Sequence, residues 1–283
     1  MITRRTGYLT MSSKRAPAES EQLQAEGYVT LRGVFDAGEV AELIADVDRV
    51  FDECAPDVRR TGSKYPPEHW DPFRYELFNR SAVVQKAIAK RAILDVIEPL
   101  LAEDCHVIAN TAWRQPPQEN SHGGQLWHID SGPHVPRPAG VPWDERIPYP
   151  VFAVATHLML QDCPLEAGPT GVIPRSHTSG QSPPLDRMTD ADLEWEGTRA
   201  LPLTASAGDV LLFVSDIWHR RLPPADGDPG RYFIQCHYGR RDLAQRLRLT
   251  SEGNQLSAAA IKRAKSKRDQ KLIGLHPAFF YDG

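Results

Sequence analysis

The sequence lacks the features that mark secreted, membrane-spanning and nucleic-acid-binding proteins. Its four cysteines, Cys54, Cys105, Cys163 and Cys236, are far apart and form no CxxC pair, which excludes a disulfide framework and a zinc ribbon. The uncharged run 147–161 has 15 residues and contains two prolines, whereas a membrane-spanning helix needs roughly 18 apolar residues. With 33 basic against 37 acidic residues, the charge gives no reason to bind nucleic acid. We expect a cytoplasmic protein in a reducing setting, with neither a membrane nor a nucleic-acid partner.

Turn-forming residues are abundant. Glycine (20) and proline (24) among 283 residues exceed the ~12% share of an average chain, and 41% hydrophobic residues are enough for a core. Residues 1–18 contain four basic and no acidic residues. We interpret them as a disordered N-terminal segment, with a transit peptide as the open alternative. Residues 19–283 are then one domain, whose oligomeric state the sequence does not indicate.

The front of the chain has helical periodicity. Residues 28–34 alternate as in a strand. Asp36 and Glu39 form a capping-box pattern before a helix, and a second helix is predicted over residues 81–101. The apolar stripe of the first helix falls at Val40, Leu43, Ile44, Val47 and Phe51.

Short apolar runs replace this periodicity after Cys105, at residues 105–113, 151–160, 209–214 and 231–238. Helices in the N-terminal part of the chain, followed by strands, predict an α+β protein that is mainly β and is built on a sandwich or barrel. Near the end, a helix over residues 257–271 would carry six basic residues on a solvated face, and residues 272–281 would pack back onto the body.

Two histidines and an aspartate suggest a metal site. His128 and Asp130 alternate with Ile129, so in a strand both point to the same face. A second His-x-Asp pattern, at residues 69–71, lies among prolines and is interpreted as a loop. His219 follows the predicted strand 209–214. Two histidines plus one carboxylate form the facial triad that leaves positions open on non-haem iron(II).

Arg231 begins the last predicted strand, twelve residues after His219. A guanidinium can form a bidentate pair with a carboxylate, which is what a 2-oxo-diacid cosubstrate needs at its far end. Each of these elements is ordinary alone, but their ordered occurrence is not.

The ordered motifs resemble those of the phytanoyl-CoA dioxygenase family of iron(II)/2-oxoglutarate-dependent oxygenases. The matching segments are residues 26–34, 127–130, 168–177, 208–213, 218–219 and 231. The resemblance implies a double-stranded β-helix (a jelly-roll or cupin-like barrel) with helices outside. It also implies His128, Asp130 and His219 as iron ligands and Arg231 as the partner of the 2-oxoglutarate distal carboxylate. Iron(II), 2-oxoglutarate and O2 would be required, with ascorbate as an optional reductant in vitro.

Four further residues are candidate cosubstrate contacts by the same resemblance. Gln125 lies three positions before the first ligand, on the opposite face of a regular strand, so its contact requires a bulge. Arg114 occupies a position that is basic in many relatives. His157 stands where the family often has Trp, with a core histidine as the alternative, and Thr170 has a turn-shaping role as its alternative.

Other departures and flanking histidines concern the surroundings of the site. Arg175 replaces the usual glycine of a Pro-Gly-Ser-His turn, so we expect that turn to differ. His177 is interpreted as structural, and His122 and His134 as loop positions.

We therefore expect an enzyme that oxidises, and by default hydroxylates, a C–H bond of a small organic metabolite, releasing succinate and carbon dioxide. The aspartate ligand favours oxygenation over the halogenation of related enzymes. Residues 131–150 are a predicted lid over the substrate. Two alternatives stay open: a cupin-like hydrolase or isomerase that does not use 2-oxoglutarate, and a non-catalytic binding protein on the same scaffold.

Overall fold

The computed structural model describes residues 16–54, 73–117, 124–245, 247 and 256–277. The predicted N-terminal segment 1–18 lies outside these residues except at its last three positions. The His-x-Asp pattern at 69–71, His122 and residues 278–281 also lie outside them. The predicted division into segment 1–18 and domain 19–283 stays a prediction.

Seven α-helices lie in the described part, and none of them has the length and apolar character needed to span a membrane. The capping box of Asp36 and Glu39 is formed at the start of the second helix, as predicted. The helices are α1 (Ala18–Glu26), α2 (Ala37–Glu53), α3 (Leu77–Arg80), α4 (Ala82–Ala87), α5 (Arg91–Leu101), α6 (Ala258–Arg263) and α7 (Lys267–Leu272).

Both of the other predicted long helices are interrupted. The predicted helix 81–101 divides into α4 and α5 at Lys90, where the backbone is extended. The Lys90 ammonium lies 2.5 Å from the Glu39 carboxylate and over the ring of Phe35. The predicted helix 257–271 divides into α6 and α7, because Ser266 and Asp269 form a new capping box. At Ser266 the capping box overrides the helical periodicity.

The described residues contain eleven strands, which form antiparallel sheets. The six-stranded sheet has the order β1-β9-β4-β11-β3-β2, the three-stranded sheet the order β10-β5-β8, and β6 pairs with β7. The strands are β1 (Tyr28–Leu31), β2 (Phe73–Tyr75), β3 (His106–Gln115), β4 (Ala153–Met159), β5 (Thr170–Val172), β6 (Glu194–Trp195), β7 (Thr198–Arg199), β8 (Leu201–Leu203), β9 (Val210–Val214), β10 (His219–Arg221) and β11 (Arg231–Gly239).

The six-stranded sheet separates two hydrophobic layers. On its outer face, residues such as Ile234, Leu212 and Val154 pack with the buried stripes of the helices. On its inner face, residues such as Phe233, Phe213 and Ala155 pack with Val172 and Leu203 of the three-stranded sheet. Successive residues of one strand therefore enter different layers, and the functional groups lie between the two sheets.

The turn at Arg175 keeps the backbone that a glycine would take. Arg175 has φ +67°, in the left-handed region, and its guanidinium pairs with Glu145 and Glu196. The arginine thus accepts a conformation that is unfavourable for a residue with a Cβ, and two carboxylates hold its side chain. The expectation that this turn differs from that of relatives stays a prediction.

Candidate metal centre and cavity

His128, Asp130 and His219 come together between the two sheets. One donor atom from each lies within 4.8 Å of the other two, and the two imidazole centroids are 4.3 Å apart. Reciprocal backbone hydrogen bonds of 3.0 Å join His128 to His219, so a two-residue antiparallel bridge positions both rings. The structure thus assembles the three predicted ligands from segments that are 89 residues apart in sequence.

Both imidazoles are oriented for metal binding through Nε2. His128 Nδ1 lies 2.7 Å from the Leu126 carbonyl and His219 Nδ1 lies 2.9 Å from the Ile217 carbonyl. A carbonyl oxygen only accepts, so each Nδ1 carries the proton and donates it. Each Nε2 then presents its lone pair, and His219 Nε2 lies 3.6 Å from Asp130 Oδ1.

The electrostatics favour a cation at this point. Burial alone raises the pKa of Asp130, but His219, His237 and His128 together hold that pKa well below its usual range. Conversely, burial lowers the pKa of His219 while Asp130 raises it, and the net shift is upward. The carboxylate is therefore ionised at neutral pH. A carboxylate with two imidazoles fits a divalent iron with open coordination positions.

A cavity of about 290 Å³ adjoins these residues. Its wall on the side of the six-stranded sheet includes alternate residues of β11, whose outward neighbours belong to the helix-facing core. From one end to the other, this inward row consists of Arg231, Phe233, Gln235 and His237.

The Arg231 end of the cavity contains two buried arginines. Arg231 Nη1 donates to the Gly168 carbonyl at 3.3 Å, and its buried Nε has no hydrogen-bond partner among the described residues. Arg221 donates to the Gln115 side chain and the Ala167 carbonyl. Burial and the neighbouring Arg221 lower the pKa of Arg231 to about 9.

A single carboxylate, Asp228, faces this pair: its Oδ2 lies 3.6 Å from Arg221 Nη2. Two cations and one anion leave one buried positive charge without compensation in the described structure. A buried charge without a partner is costly, so the carboxylate of a ligand would complete this end of the cavity.

His157 and Thr170 lie on opposite walls and meet. Thr170 Oγ1 is 3.4 Å from His157 Nδ1, and the His157 ring packs against Phe213 and Phe233. Burial and the nearby Arg231 hold the pKa of His157 well below its normal value, so the ring is neutral. Thr170 begins strand β5 and is not in a turn. Both side chains line the cavity.

Gln125 reaches the cavity through an irregularity in the ligand segment. Its N–H donates to the Arg221 carbonyl, and its Oε1 accepts from the Arg221 N–H. Because His128 pairs with His219, a regular ladder would instead place residue 126 opposite Arg221. The segment therefore contains one extra residue, which is the bulge that a contact from Gln125 requires.

Arg114 does not reach the cavity, which corrects the expectation from sequence. It is the cross-strand partner of Tyr232 on the outer face of the sheet. There its guanidinium pairs with Asp48 at 2.8 Å and lies over the ring of Phe51. Gln115, the next residue, is the one beside Arg231, so the inward position is shifted by one.

The cavity residues that sequence reasoning missed include Arg221, Gln235, His237 and Thr111. His237 Nδ1 lies 3.7 Å from Asp130 Oδ2. Every second residue of a strand faces the same side, so Gln235 and His237 lie on the same face as Arg231. The sequence therefore contained the information that places them in the cavity. The same holds for Arg221, since it lies two residues after His219 in one strand.

The flanking histidines have structural contacts. His134 Nδ1 lies 2.6 Å from Asp216, and its ring stacks on Phe152. His177 Nε2 lies 3.0 Å from the Gln24 carbonyl inside the core. Neither residue lines the cavity that adjoins the candidate ligands.

Comparison with known proteins gives the family and the fold. The family model of phytanoyl-CoA dioxygenase (PhyH) matches residues 23–221. No curated protein matches the sequence.

Several solved structures are similar in fold. The epimerase SnoN from nogalamycin biosynthesis, described as non-heme and alpha-ketoglutarate-dependent, is 20% identical with a TM-score of 0.56, over 78% of this chain and 82% of that chain. HygX from Streptomyces hygroscopicus, with nickel and 2-oxoglutarate bound, is 17% identical with a TM-score of 0.55, over 80% and 88%. EctD from S. alaskensis, with bound Fe, is 19% identical with a TM-score of 0.61, over 90% and 87%.

These similarities confirm the predicted jelly-roll form of the double-stranded β-helix, with the two antiparallel sheets described above. The family match covers more than half of the chain and includes His128, Asp130 and His219. The chain belongs to the phytanoyl-CoA dioxygenase (PhyH) family, and it is an enzyme of the iron(II)/2-oxoglutarate-dependent oxygenase type.

Proposed function

We propose that this enzyme uses iron(II) and 2-oxoglutarate to oxidise a C–H bond of a small organic metabolite, with hydroxylation as the outcome. His128, Asp130 and His219 would hold the iron, and Arg231 would hold the distal carboxylate of 2-oxoglutarate. The observation that carries the proposal is the joint presence, in one cavity, of the three ligand side chains and a buried arginine with an unpaired Nε.

The overall reaction balances without a further reductant. One O2, one 2-oxoglutarate and one substrate C–H give succinate, carbon dioxide and the corresponding alcohol, with one oxygen atom entering succinate and the other the product. The bound iron supplies the activation of O2 that no amino-acid side chain provides. The protein supplies the positions of the reactants and keeps water out.

Each cavity residue has a task that follows from its contacts. His128 and His219 keep their Nδ1 protons on backbone carbonyls, so their Nε2 atoms stay available for the metal. Arg231 and Arg221 offer positive charge at the far end. Gln125, His157 and Thr170 complete the wall around the cosubstrate. Tyr149 and His134, near the two ends of the predicted lid 131–150, both bind the buried Asp216, which supports a lid anchored at both ends.

The alternative of a metal-dependent hydrolase or isomerase without 2-oxoglutarate leaves Arg231 unexplained. Such an enzyme needs no cation at the end of the cavity away from the metal, and a buried guanidinium with an unpaired Nε is unfavourable without a ligand. A binding protein without catalysis has no need of two histidines and one aspartate whose donor atoms converge.

Absorbance spectroscopy and product analysis test the proposal. Iron(II) and 2-oxoglutarate added without oxygen should give a weak visible charge-transfer band. Addition of O2, ascorbate and a metabolite panel should give substrate-dependent succinate, with a product 16 mass units heavier in the hydroxylation case. His219→Ala should abolish both signals. The matched control is His276→Ala, whose ring contacts His106 and not the cavity. A His219→Ala enzyme with normal turnover would contradict the proposal.

A further inference from the structure

Beyond the arginine end, the cavity has a second polar surface. The proposed binding of the metal and the cosubstrate does not involve its side chains. It is formed by Thr111, Gln235 and His237, all of which line the cavity. Thr111 and Gln235 are direct cross-strand partners on β3 and β11, and His237 is the next inward residue of β11. We call these three side chains the polar rail.

The orientation of the Gln235 amide is fixed by Trp113. Trp113 Nε1 lies 3.0 Å from the Gln235 side chain. An indole N–H only donates, so the amide atom facing it must be the carbonyl oxygen Oε1. The NH2 group of Gln235 therefore points away from Trp113, and it makes no hydrogen bond within the described part of the chain. Two N–H donors are left open to the cavity.

The other two members of the polar rail also keep hydrogen-bonding capacity. The hydroxyl of Thr111 has no hydrogen bond among the described residues. The His237 side chain is 13% exposed, and its Nδ1 lies 3.7 Å from Asp130 Oδ2, which is too long for a hydrogen bond. Native proteins seldom leave adjacent polar groups unsatisfied inside a cavity unless water or a ligand binds them.

The position of the polar rail separates it from the cosubstrate end. Gln235 follows Arg231 by four residues on one extended strand, a Cα separation of ~13 Å at 3.3 Å per residue. His237, two residues further on, is beside the candidate ligand Asp130. The β11 row thus has Arg231 at its cosubstrate end, and His237, at the opposite end of that row, is the member of the polar rail that lies beside Asp130.

We propose that the polar rail is the substrate subsite and that Gln235 donates a hydrogen bond to an oxygen acceptor, carbonyl or carboxylate, next to the carbon that is oxidised. The inference rests on the proposed function and adds the class of substrate: a small oxygenated compound and not a plain alkyl chain. Size agrees with this class, because the cavity of about 290 Å³ must also contain the cosubstrate, and a drug-sized ligand alone needs ~300–1,000 Å³.

Ligand-detected NMR on enzyme loaded with nickel and 2-oxoglutarate tests the subsite without turnover. The probes are compounds of six to ten non-hydrogen atoms in matched pairs: cyclohexanone with methylenecyclohexane, cyclohexanol with methylcyclohexane, and benzoate with styrene. We expect wild type to bind the ketone or the carboxylate better than its hydrocarbon partner. Gln235→Leu should weaken that binding about tenfold, the loss expected for one hydrogen bond. The exposed Gln270→Leu is the matched control.

Gln235→Glu separates the two kinds of oxygen. A carboxylate at this position still accepts from Trp113 and keeps the side-chain shape, but it offers no N–H. Binding of the ketone and of benzoate should fall as in Gln235→Leu, whereas cyclohexanol, which can donate its O–H, should bind as in wild type or better. Equal weakening of cyclohexanol would overturn the assignment of Gln235 as donor.

Two outcomes overturn the inference and leave the proposed function intact. One is a panel in which no oxygenated compound binds better than its hydrocarbon partner. The other is a Gln235→Leu enzyme that loses affinity for 2-oxoglutarate itself, which would place Gln235 at the cosubstrate. Failure of the proposed function looks different, because wild type would then not bind 2-oxoglutarate in the presence of metal.

Discussion

The two faces of strand β11 differ in how completely their polar groups are paired. On the outer face, Tyr232 donates to Asp48 and Tyr238 to the Ile88 carbonyl, both with short hydrogen bonds, and Ile234 is packed in the helix-facing core. On the inner face, Arg231 Nε is buried without a partner in the described structure. The NH2 group of Gln235 is likewise open to the cavity. Folding completes the outer face, whereas the inner face requires ligands to complete it.

This difference separates stability from function along one strand. Residues on the outer face should be worth several kcal/mol each to folding, because their burial and hydrogen bonds exist without any ligand. Polar residues on the inner face should contribute little to folding, or oppose it, because buried polar groups without partners carry a desolvation cost. The polar groups that would bind ligands are therefore expected to lower the stability of the protein when no ligand is bound.

The largest effect on this comparison should come from Ile234→Ala on the outer face. Ile234 is 1% exposed within the helix-facing core, and truncation of a buried isoleucine to alanine destabilises by roughly 2–5 kcal/mol. Denaturant unfolding should show this loss, while calorimetry on the folded variant should find an unchanged affinity for 2-oxoglutarate. Ile234→Val, expected at about 1 kcal/mol, is the graded control. A stable Ile234→Ala enzyme with poor cosubstrate binding would reverse the assignment of the two faces.

The pH dependence of stability tests a histidine that lies in the core and not in the cavity. Burial lowers the pKa of His177 to about 4, whereas an unfolded histidine titrates near 6.5. Between these values the unfolded chain binds the extra proton, so the contribution of the neutral ring is complete above pH ~6.5 and is lost as the pH falls toward 4.

The loss corresponds to about 3 kcal/mol at 1.36 kcal/mol per pKa unit. His177→Gln has no proton to gain. Between pH 6.5 and 4 its free energy of unfolding should therefore fall by about 3 kcal/mol less than that of wild type. Parallel pH profiles for the two proteins would show that His177 is not held neutral.

The strands and the metal ligands could be predicted from the sequence, whereas the direction in which the side chains of β3 point could not. The four apolar runs after Cys105 correspond to β3, β4, β9 and β11, because strand periodicity is a local property. The ligand set was recognisable since motif order does not depend on packing. The faces of β3 were not predictable in the same way: β3 is buried on both sides, so alternation alone does not tell whether Arg114 or Gln115 points inward.

Arg231→Met should have opposite effects on binding and on stability. Loss of a charged hydrogen-bonded contact costs about 1.5–3 kcal/mol, which is a ~10- to 150-fold weaker affinity for 2-oxoglutarate by calorimetry. Without the ligand, the variant should melt at the same temperature as wild type or higher, because it removes a buried cation that Arg221 already opposes. Arg231→Lys should rescue little, since an ammonium has no bidentate fork. A destabilised Arg231→Met protein would mean that Arg231 serves the fold.

The smallest expected effect comes from Arg114→Ala. This variant gives the most direct comparison of the two faces of the sheet, because Arg114 and Arg231 carry the same charged group. Arg114 and Arg231 lie on paired strands one register step apart: Arg114 is opposite Tyr232, and Arg231 is opposite Gln115. The Arg114–Asp48 pair is about two-fifths exposed, so its loss should cost at most about 1 kcal/mol and leave 2-oxoglutarate affinity unchanged. Measurable weakening of cosubstrate binding in Arg114→Ala would place its side chain in the cavity after all. Two arginines of equal charge thus differ in function only because a strand presents alternate residues to opposite faces.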